Sequence, residues 1–130
     1  MSSLASVIPA PTRSLYGATK SSSLLLYESL AIEHPSITFS LVIPSTIKGD
    51  FRSSAVDGGS VREAALGTTQ KGLDKSYVAK QCIKAVDYRK KHVFLPGFHG
   101  ISHLLYWLFP SFIEARAREK YQFIPKPPLF

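Results

Sequence analysis

Three residues near the start of the chain have the types and spacing that proton chemistry requires. Tyr16 and Lys20 are four residues apart, so on a helix they would share one face. An ammonium group beside a tyrosine favours the phenolate over the phenol, which lets the hydroxyl exchange a proton with an oxygen whose carbon gains or loses a hydride. Ser3, thirteen residues before Tyr16, could donate a hydrogen bond to that oxygen. The alternative for Tyr16 and Lys20 is an ordinary surface pair on a helix.

The segment that carries this pair is predicted to be a helix followed by a buried strand. We predict the helix over residues 14–34, with Ser14 as its N-cap and Pro35 ending it. Residues 37–43 (ITFSLVI) are apolar and rich in β-branched side chains, which is typical of a strand buried on both faces of a parallel sheet.

A loop, a second helix and a short strand complete this region. The loop over residues 44–73 is rich in Gly, Ser and Thr, and a loop of that length is usually functional or mobile. Asp74 is predicted to cap a helix of about 17 residues, with Lys75 on its polar face, and residues 92–96 form the strand. The order of helices and strands predicts an α/β protein with a parallel sheet. The predicted apolar face of the second helix consists of Val78, Ala79, Cys82, Ile83 and Val86.

Composition limits the class of protein and the kinds of site. The 130 residues suffice for one small domain or part of a larger one. A single cysteine, Cys82, excludes an intramolecular disulfide and permits a reducing compartment. Four histidines without a nearby cysteine make a structural zinc site improbable, so no metal is expected, and capping or interface roles are expected for His34, His92, His99 and His103.

The net charge of +7 lies entirely in the second half of the chain, because residues 66–130 hold 11 basic and 4 acidic side chains. Such asymmetry favours an anionic partner, either nucleic acid or a membrane surface, although a solvated basic face is the simpler alternative. Nucleic acid is the weaker of the two partners, because the basic residues are not interleaved with an exposed aromatic platform.

The C-terminal segment, residues 98–130, is aromatic and then basic. No Asp, Glu, Lys or Arg occurs over residues 93–113, and three basic residues follow, Arg116, Arg118 and Lys120. Prolines leave a continuous helix over about residues 101–109, well short of the ~20 residues that cross a bilayer. Two interpretations remain, a helix that covers the core or a segment that lies in a membrane interface, and we favour the interface.

The stretch SLYGATKSS, with the serine before it and the strand and proline-led loop after it, resembles the second half of a short-chain dehydrogenase/reductase. Farther along, KGLDKSYVAKQCIKAV and the aromatic, basic tail are similar to the 7B-type dehydrogenase/reductases, which are relatives of the 11β-hydroxysteroid dehydrogenases. The resemblance implies an α/β fold, the C-terminal part of a Rossmann-type doubly wound parallel sheet.

The resemblance also implies roles for individual residues. Tyr16 would be the catalytic acid/base, Lys20 would favour its phenolate and bind the nicotinamide ribose, and Ser3 would orient the substrate oxygen. Ile47 would contact the nicotinamide carboxamide through its backbone. The cofactor would be NAD or NADP, with NADP favoured.

Two departures from the family pattern bear on cofactor binding. The family's loop usually opens Pro-Gly with a threonine five residues after the proline, whereas here Ser45 follows Pro44 and Gly49 takes the threonine position. The family's glycine-rich dinucleotide turn and its active-site asparagine are absent. We therefore interpret residues 1–97 as the C-terminal half of the domain, lacking the N-terminal dinucleotide-binding half, with the active-site helix at 14–34 and the substrate loop at 44–73. Residues 98–130 are interpreted as an apolar, aromatic and basic extension.

The expected function is an NAD(P)-dependent oxidoreductase that interconverts an alcohol with a ketone or aldehyde on a lipophilic substrate. A membrane such as the endoplasmic reticulum is the expected location, reached through residues 98–130, and the complete enzyme could be a homodimer. The alternative is a non-catalytic, membrane-associated remnant or truncated product of such an enzyme.

Overall fold

The computed structural model describes residues 1–49, 72–121 and 123–124. Most of the predicted substrate loop over 44–73 lies outside these residues. A short 3-10 helix, Leu4–Ser6, precedes the first α-helix, and a second, Gly97–Ile101, follows the last strand. The regular elements are α1 (Ser14–Glu33), β1 (Leu41–Pro44), α2 (Lys75–Asp87), β2 (His92–Leu95), α3 (Ser102–Leu108) and α4 (Pro110–Lys120).

The two strands pair in parallel, which confirms the predicted topology. Leu41 lies opposite His92 and Pro44 lies opposite Leu95, so the strands begin and end together. The N-terminal segment borders β1 as well, because the backbone N–H of Ser2 donates to the carbonyl of Val42 at 2.8 Å.

Helices cover both faces of the sheet. Successive side chains of a strand point to opposite faces. Leu41 and Ile43 therefore pack with Leu24 of α1 on one face. Val42 packs on the other face with residues of α2 and β2, namely Val78, Ala85 and Leu95. This helix–sheet–helix layering is the α/β architecture predicted from the order of elements.

The prediction for α1 is correct in its extent and wrong in its cap. The helix spans Ser14–Glu33, and His34 is its C-cap. Ser14 is the first helical residue, while Arg13 occupies the N-cap position and makes no side-chain capping bond. The four-residue strand β1 is shorter than the predicted 37–43, because its partner β2 offers only four residues for pairing.

Helix α2 begins as predicted but buries a different set of side chains. The carboxylate of Asp74 accepts hydrogen bonds from the N–H groups of Ser76 and Tyr77, at 2.9 and 3.2 Å. The helix has 13 residues instead of about 17. It buries Val78 and Ala85, whereas Ala79, Ile83 and Val86 of the predicted face are exposed. That prediction was wrong because the sheet contacts only a narrow row of α2 side chains, on the side of the helix that carries Val78 and Ala85.

The C-terminal segment forms two short helices instead of one. Helix α3 has 7 residues, and Pro110 begins α4 in the first turn, where its missing N–H costs no hydrogen bond. Among the described residues, no helix is long and apolar enough to cross a membrane.

Candidate active site

A cavity of about 700 Å³ lies at the edge of the sheet where both strands end. Its lining includes residues that follow β1, such as Ser45 and Thr46, and His99, which follows β2. Ligands of open α/β sheets bind in the crevice outside the carboxyl ends of the strands. Ser3, Tyr16, Lys20 and Ile47, the four residues singled out from the sequence, all line this cavity.

Tyr16 and Lys20 are neighbours on the first turns of α1, as their spacing predicts. The ammonium nitrogen of Lys20 lies 5.9 Å from the centroid of the Tyr16 ring. A cation within about 6 Å of an aromatic face is attracted to it, so the two side chains form one unit. Both are half-buried.

Ser3 is held against α1 by its neighbours in the chain. Gly17 makes the close approach possible, because a Cβ atom there would lie only 3.2 Å from the carbonyl oxygen of Ala5. The hydroxyl of Ser21 donates to the carbonyl of Ser6 at 2.8 Å. The oxygen of the Ser3 hydroxyl accepts from the N–H of Ala5 at 3.3 Å, and its own proton can be donated to a ligand.

Ile47 lies in the segment that leaves β1. It forms an isolated parallel bridge with Leu73. The N–H of Lys48 donates to the Leu73 carbonyl at 3.0 Å, and the N–H of Leu73 donates to the Thr46 carbonyl at 2.8 Å. These bonds fix the backbone of residues 46–48 along the cavity, at the position where the resemblance expects a backbone contact to the cofactor.

Lys75 occupies the space beside Gly49. A Cβ atom on Gly49 would lie 2.7 Å from Cε and 2.9 Å from Nζ of Lys75, and Gly49 has a φ of +134°, which side-chain-bearing residues rarely adopt. Lys75 is exposed, as predicted for the polar face of α2, and it also lines the cavity. Its position on the first turn of α2 brings the side chain back toward the loop.

The cavity is strongly basic. Among the described residues that line it, six side chains are cationic and none is a carboxylate. The six are Arg13, Lys20, Lys48, Lys75, Arg116 and Lys120. Arg13 is also the one described residue with a buried side-chain nitrogen, Nε, that has no hydrogen-bond partner. Such a lining favours a ligand that carries negative charge or strong acceptors.

His99 is a cavity residue that the sequence did not single out. Its Nδ1 atom lies 3.1 Å from the hydroxyl oxygen of Ser102, which also lines the cavity. Burial lowers the pKa of His99, and the nearby charge of Lys120 lowers it further. A histidine in a sequence carries no signal of such a position, so the capping or interface role expected for His99 was too general.

Residues of α4 also line the cavity, although the sequence suggested an aromatic, basic appendage. Ile113, Arg116, Ala117 and Lys120 are lining residues on α4, and Tyr121 follows at its C-cap. Their spacing is helical, and that signal was present in the sequence. Across the described part of the chain, no group of three or more His, Cys, Asp or Glu side chains is arranged to hold a metal ion.

This arrangement can exchange a proton with a ligand oxygen. A phenol with a neighbouring ammonium can donate or accept a proton, and a serine hydroxyl on the same cavity can hold the oxygen involved. The cationic lining can bind phosphate groups. These side chains are chemically suited to proton exchange beside an anionic ligand.

Comparison with known proteins identifies one informative relative. Dehydrogenase/reductase SDR family member 7B of Danio rerio is 32% identical to the chain over 100 residues. These residues are 75% of this chain and 32% of the relative, so the chain spans about a third of the length of that protein. No family model matches the chain, and no solved structure matches it. The chain belongs to the short-chain dehydrogenase/reductase family, and its motifs correspond to the C-terminal part of these oxidoreductases.

Proposed function

We propose that this chain carries the acid/base half of an NAD(P)-dependent oxidoreductase that interconverts an alcohol and a ketone or aldehyde. The observation that carries the proposal is the presence of Ser3, Tyr16 and Lys20 on one cavity at the carboxyl edge of a parallel sheet. The family of the relative supports the class of reaction.

In the reducing direction, the roles follow from the chemistry of the three side chains. The Ser3 hydroxyl donates a hydrogen bond to the substrate carbonyl oxygen and holds it near Tyr16. The Tyr16 hydroxyl donates its proton to that oxygen as negative charge develops there. The ammonium of Lys20, next to the ring, stabilises the phenolate that results. Oxidation of an alcohol uses the same groups in reverse.

The lining fits a dinucleotide cofactor. A pyrophosphate is anionic, and the cavity has cationic side chains without a lining carboxylate among the described residues. Lys20 would bind the ribose, and the backbone at Ile47 would contact the carboxamide. The nicotinamide ring of such a cofactor supplies or accepts the hydride. Preference for NADP over NAD is a proposal that rests on the resemblance.

A chimeric enzyme tests the reaction. The matched third of the Danio rerio relative is replaced by this chain, and reduction of a lipophilic ketone is followed by NADPH absorbance. We expect Tyr16→Phe to lower kcat by at least ~10²-fold, because it removes the proton and keeps the ring. Tyr27→Phe, an exposed tyrosine on the same helix, is the matched control and should leave kcat unchanged.

The outcome also separates the two candidate functions. Equal turnover by Tyr16→Phe and the unmodified chimera would remove Tyr16 from catalysis. A chimera that folds and binds NADPH but turns over no carbonyl substrate would favour the alternative, a non-catalytic remnant. Lys20→Ala should weaken NADPH binding as well as turnover, since its ammonium serves both.

We further propose that residues 98–130 attach the protein to an anionic membrane surface, such as that of the endoplasmic reticulum. The supporting observation is a cluster of large apolar side chains left in contact with solvent on α3 and next to it. These include Phe98, Leu104, Trp107, Leu108, Phe109 and Phe112, and Trp107 is 77% exposed. Arg118, the basic side chain of α4 that does not line the cavity, lies near this cluster in sequence, and apolar side chains next to a basic one are the combination that interfacial segments use.

Tryptophan fluorescence tests the membrane proposal directly. Addition of anionic vesicles should shift the emission of Trp107, the only tryptophan, to shorter wavelength. Trp107→Phe removes the signal, and Leu104→Ser together with Leu108→Ser should weaken binding. Unchanged emission with vesicles present would mean that this cluster does not insert.

A further inference from the structure

Helix α4 presents one face to the cavity. Its lining residues, including the C-cap, occur at spacings of three, one, three and one along the chain: Ile113, Arg116, Ala117, Lys120 and Tyr121. Residues with this pattern lie on one side of an α-helix. No residue of α4 is buried, and α4 contributes nothing to the two apolar clusters on the sheet. This helix therefore covers the cavity and not the core.

The C-terminal end of α4 contacts the segment that precedes α1. The guanidinium of Arg13, in the segment before α1, lies 5.9 Å from the centroid of the Tyr121 ring. Across the cavity, His99 and Ser102, which follow β2, are lining residues as well. Helix α4 thus contacts the segment that leads into the Tyr16 helix and shares the cavity with the segment that leaves the second strand.

We propose that α4 is a wall of the substrate site and that Ala117 sets how large a substrate fits beside Tyr16. Ala117 is half-buried and has a small side chain, so it leaves space that a larger residue would fill. It lies one turn from Ile113 on the same face, and together they form an apolar surface for the body of a lipophilic carbonyl compound. The assignment of this wall to the substrate rests on the proposed oxidoreductase function.

Helix α4 contains a matched control for the effect of side-chain size at position 117. Ala115 is exposed and does not line the cavity, although it lies two residues from Ala117 on the same helix. A phenylalanine at position 117 should enter the cavity, whereas one at position 115 should point into solvent. Arg118 is the control for Tyr121, because it is not a lining residue and lies 3.9 Å from Glu114 on its own helix.

A labelling experiment on the complete 130-residue chain tests the wall without requiring catalysis. In a Cys82→Ala background, Ser3→Cys places the one thiol of the chain in the cavity, and its rate of reaction with N-ethylmaleimide reports access. Ala117→Phe should lower the rate several-fold and Ala117→Leu less so, while Ala115→Phe leaves it unchanged. Tyr121→Ala should raise the rate, because it removes the contact with Arg13, and Arg118→Ala should not. Circular dichroism checks that each variant is folded.

An activity experiment on the chimeric enzyme tests the link to substrate size. Ala117→Phe should raise KM for a long ketone, methyl nonyl ketone, several-fold more than it raises KM for acetone. Ala115→Phe should change neither. A purely structural effect would instead lower activity on both ketones equally.

The outcomes distinguish this proposal from the proposed function. Equal labelling rates for the variants at 117 and 115 overturn the wall, and equal effects on the two ketones overturn the role in substrate size. If the chimera with Tyr16 intact reduces no ketone, the proposed function fails and with it the assignment to substrate. The labelling rates still decide in that case whether α4 closes the cavity.

Discussion

Ile43→Ala should weaken the attachment of α1, the helix that carries Tyr16, to the sheet. Ile43 is 1% exposed and packs with Leu24 of α1 and Leu41 of β1, with Val7 and Phe94 at the edge of the cluster. The substitution removes three carbon groups, which at about 0.8 kcal/mol each is a loss of about 2.4 kcal/mol of transfer free energy. The cavity left behind adds to this, so we expect the free energy of unfolding to fall by about 3–4 kcal/mol.

The control is the same substitution at an exposed position. Ile83 lies on α2 and is 63% exposed, so Ile83→Ala should change the free energy of unfolding by no more than about 0.5 kcal/mol. Urea unfolding of the 130-residue chain, followed by far-ultraviolet circular dichroism, measures both. With a denaturant slope of about 1–3 kcal/mol/M, the midpoint for Ile43→Ala should fall by about 1–4 M.

Similar midpoints for the two variants would refute the reasoning. They would mean that the contact of Ile43 with Leu24 does not hold α1 to the sheet. The position of Tyr16 and Lys20 at the carboxyl edge would then need another cause.

Three further predictions concern the cap of a helix, the close approach of two segments and a half-buried histidine. Asp74→Ala should lower the free energy of unfolding by about 1 kcal/mol through loss of the α2 cap, whereas Asp74→Asn should retain most of the capping stability. Equal urea midpoints for Asp74→Ala and the unmodified chain would contradict this. Gly17→Val should push the Leu4–Ser6 segment away from α1 and lower turnover of the chimera, whereas Ala18→Val, at an exposed neighbour, should not. Burial, followed by the charge of Lys120, lowers the pKa of His99 below the ~6.5 of an unfolded chain. The folded state therefore binds fewer protons at this site, so the stability it contributes is present above about pH 6.5 and is lost as the pH falls through the lower, folded pKa. Between about pH 7 and 5, the loss of thermal stability should be smaller for His99→Gln than for the unmodified chain, and identical losses would contradict this. Nuclear magnetic resonance titration should show that Lys120→Ala raises the pKa of His99.

Local patterns in the sequence were sufficient for the elements and for the central pair. The span of α1 follows from a helical segment ended by Pro35, and a spacing of four then places Tyr16 and Lys20 on one face without any tertiary contact. The parallel pairing of the strands follows from the order of elements, because a helix between two buried strands is the connection that parallel pairing requires.

Contacts between distant segments depended on how the elements dock, which no local pattern encodes. Helix α2 has apolar residues around much of its surface, and the position of the sheet decides that Ala85 is buried while Ile83 is exposed. Lys75 belongs by pattern to the polar face of that helix, yet the absence of a side chain on Gly49 leaves room for it in the cavity.

The C-terminal segment shows most clearly what local sequence patterns predict and what depends on how the elements dock. Its composition indicated an amphipathic, basic end of the chain, and the spacing of Ile113, Ala117 and Tyr121 was visible as a helical face. Periodicity reports that a face exists but not what it meets, because the same side chains can contact a bilayer, a core or a ligand cavity. In the folded chain, the contact of Arg13 with Tyr121 places the end of α4 beside the segment before α1, and the helical face lines the cavity.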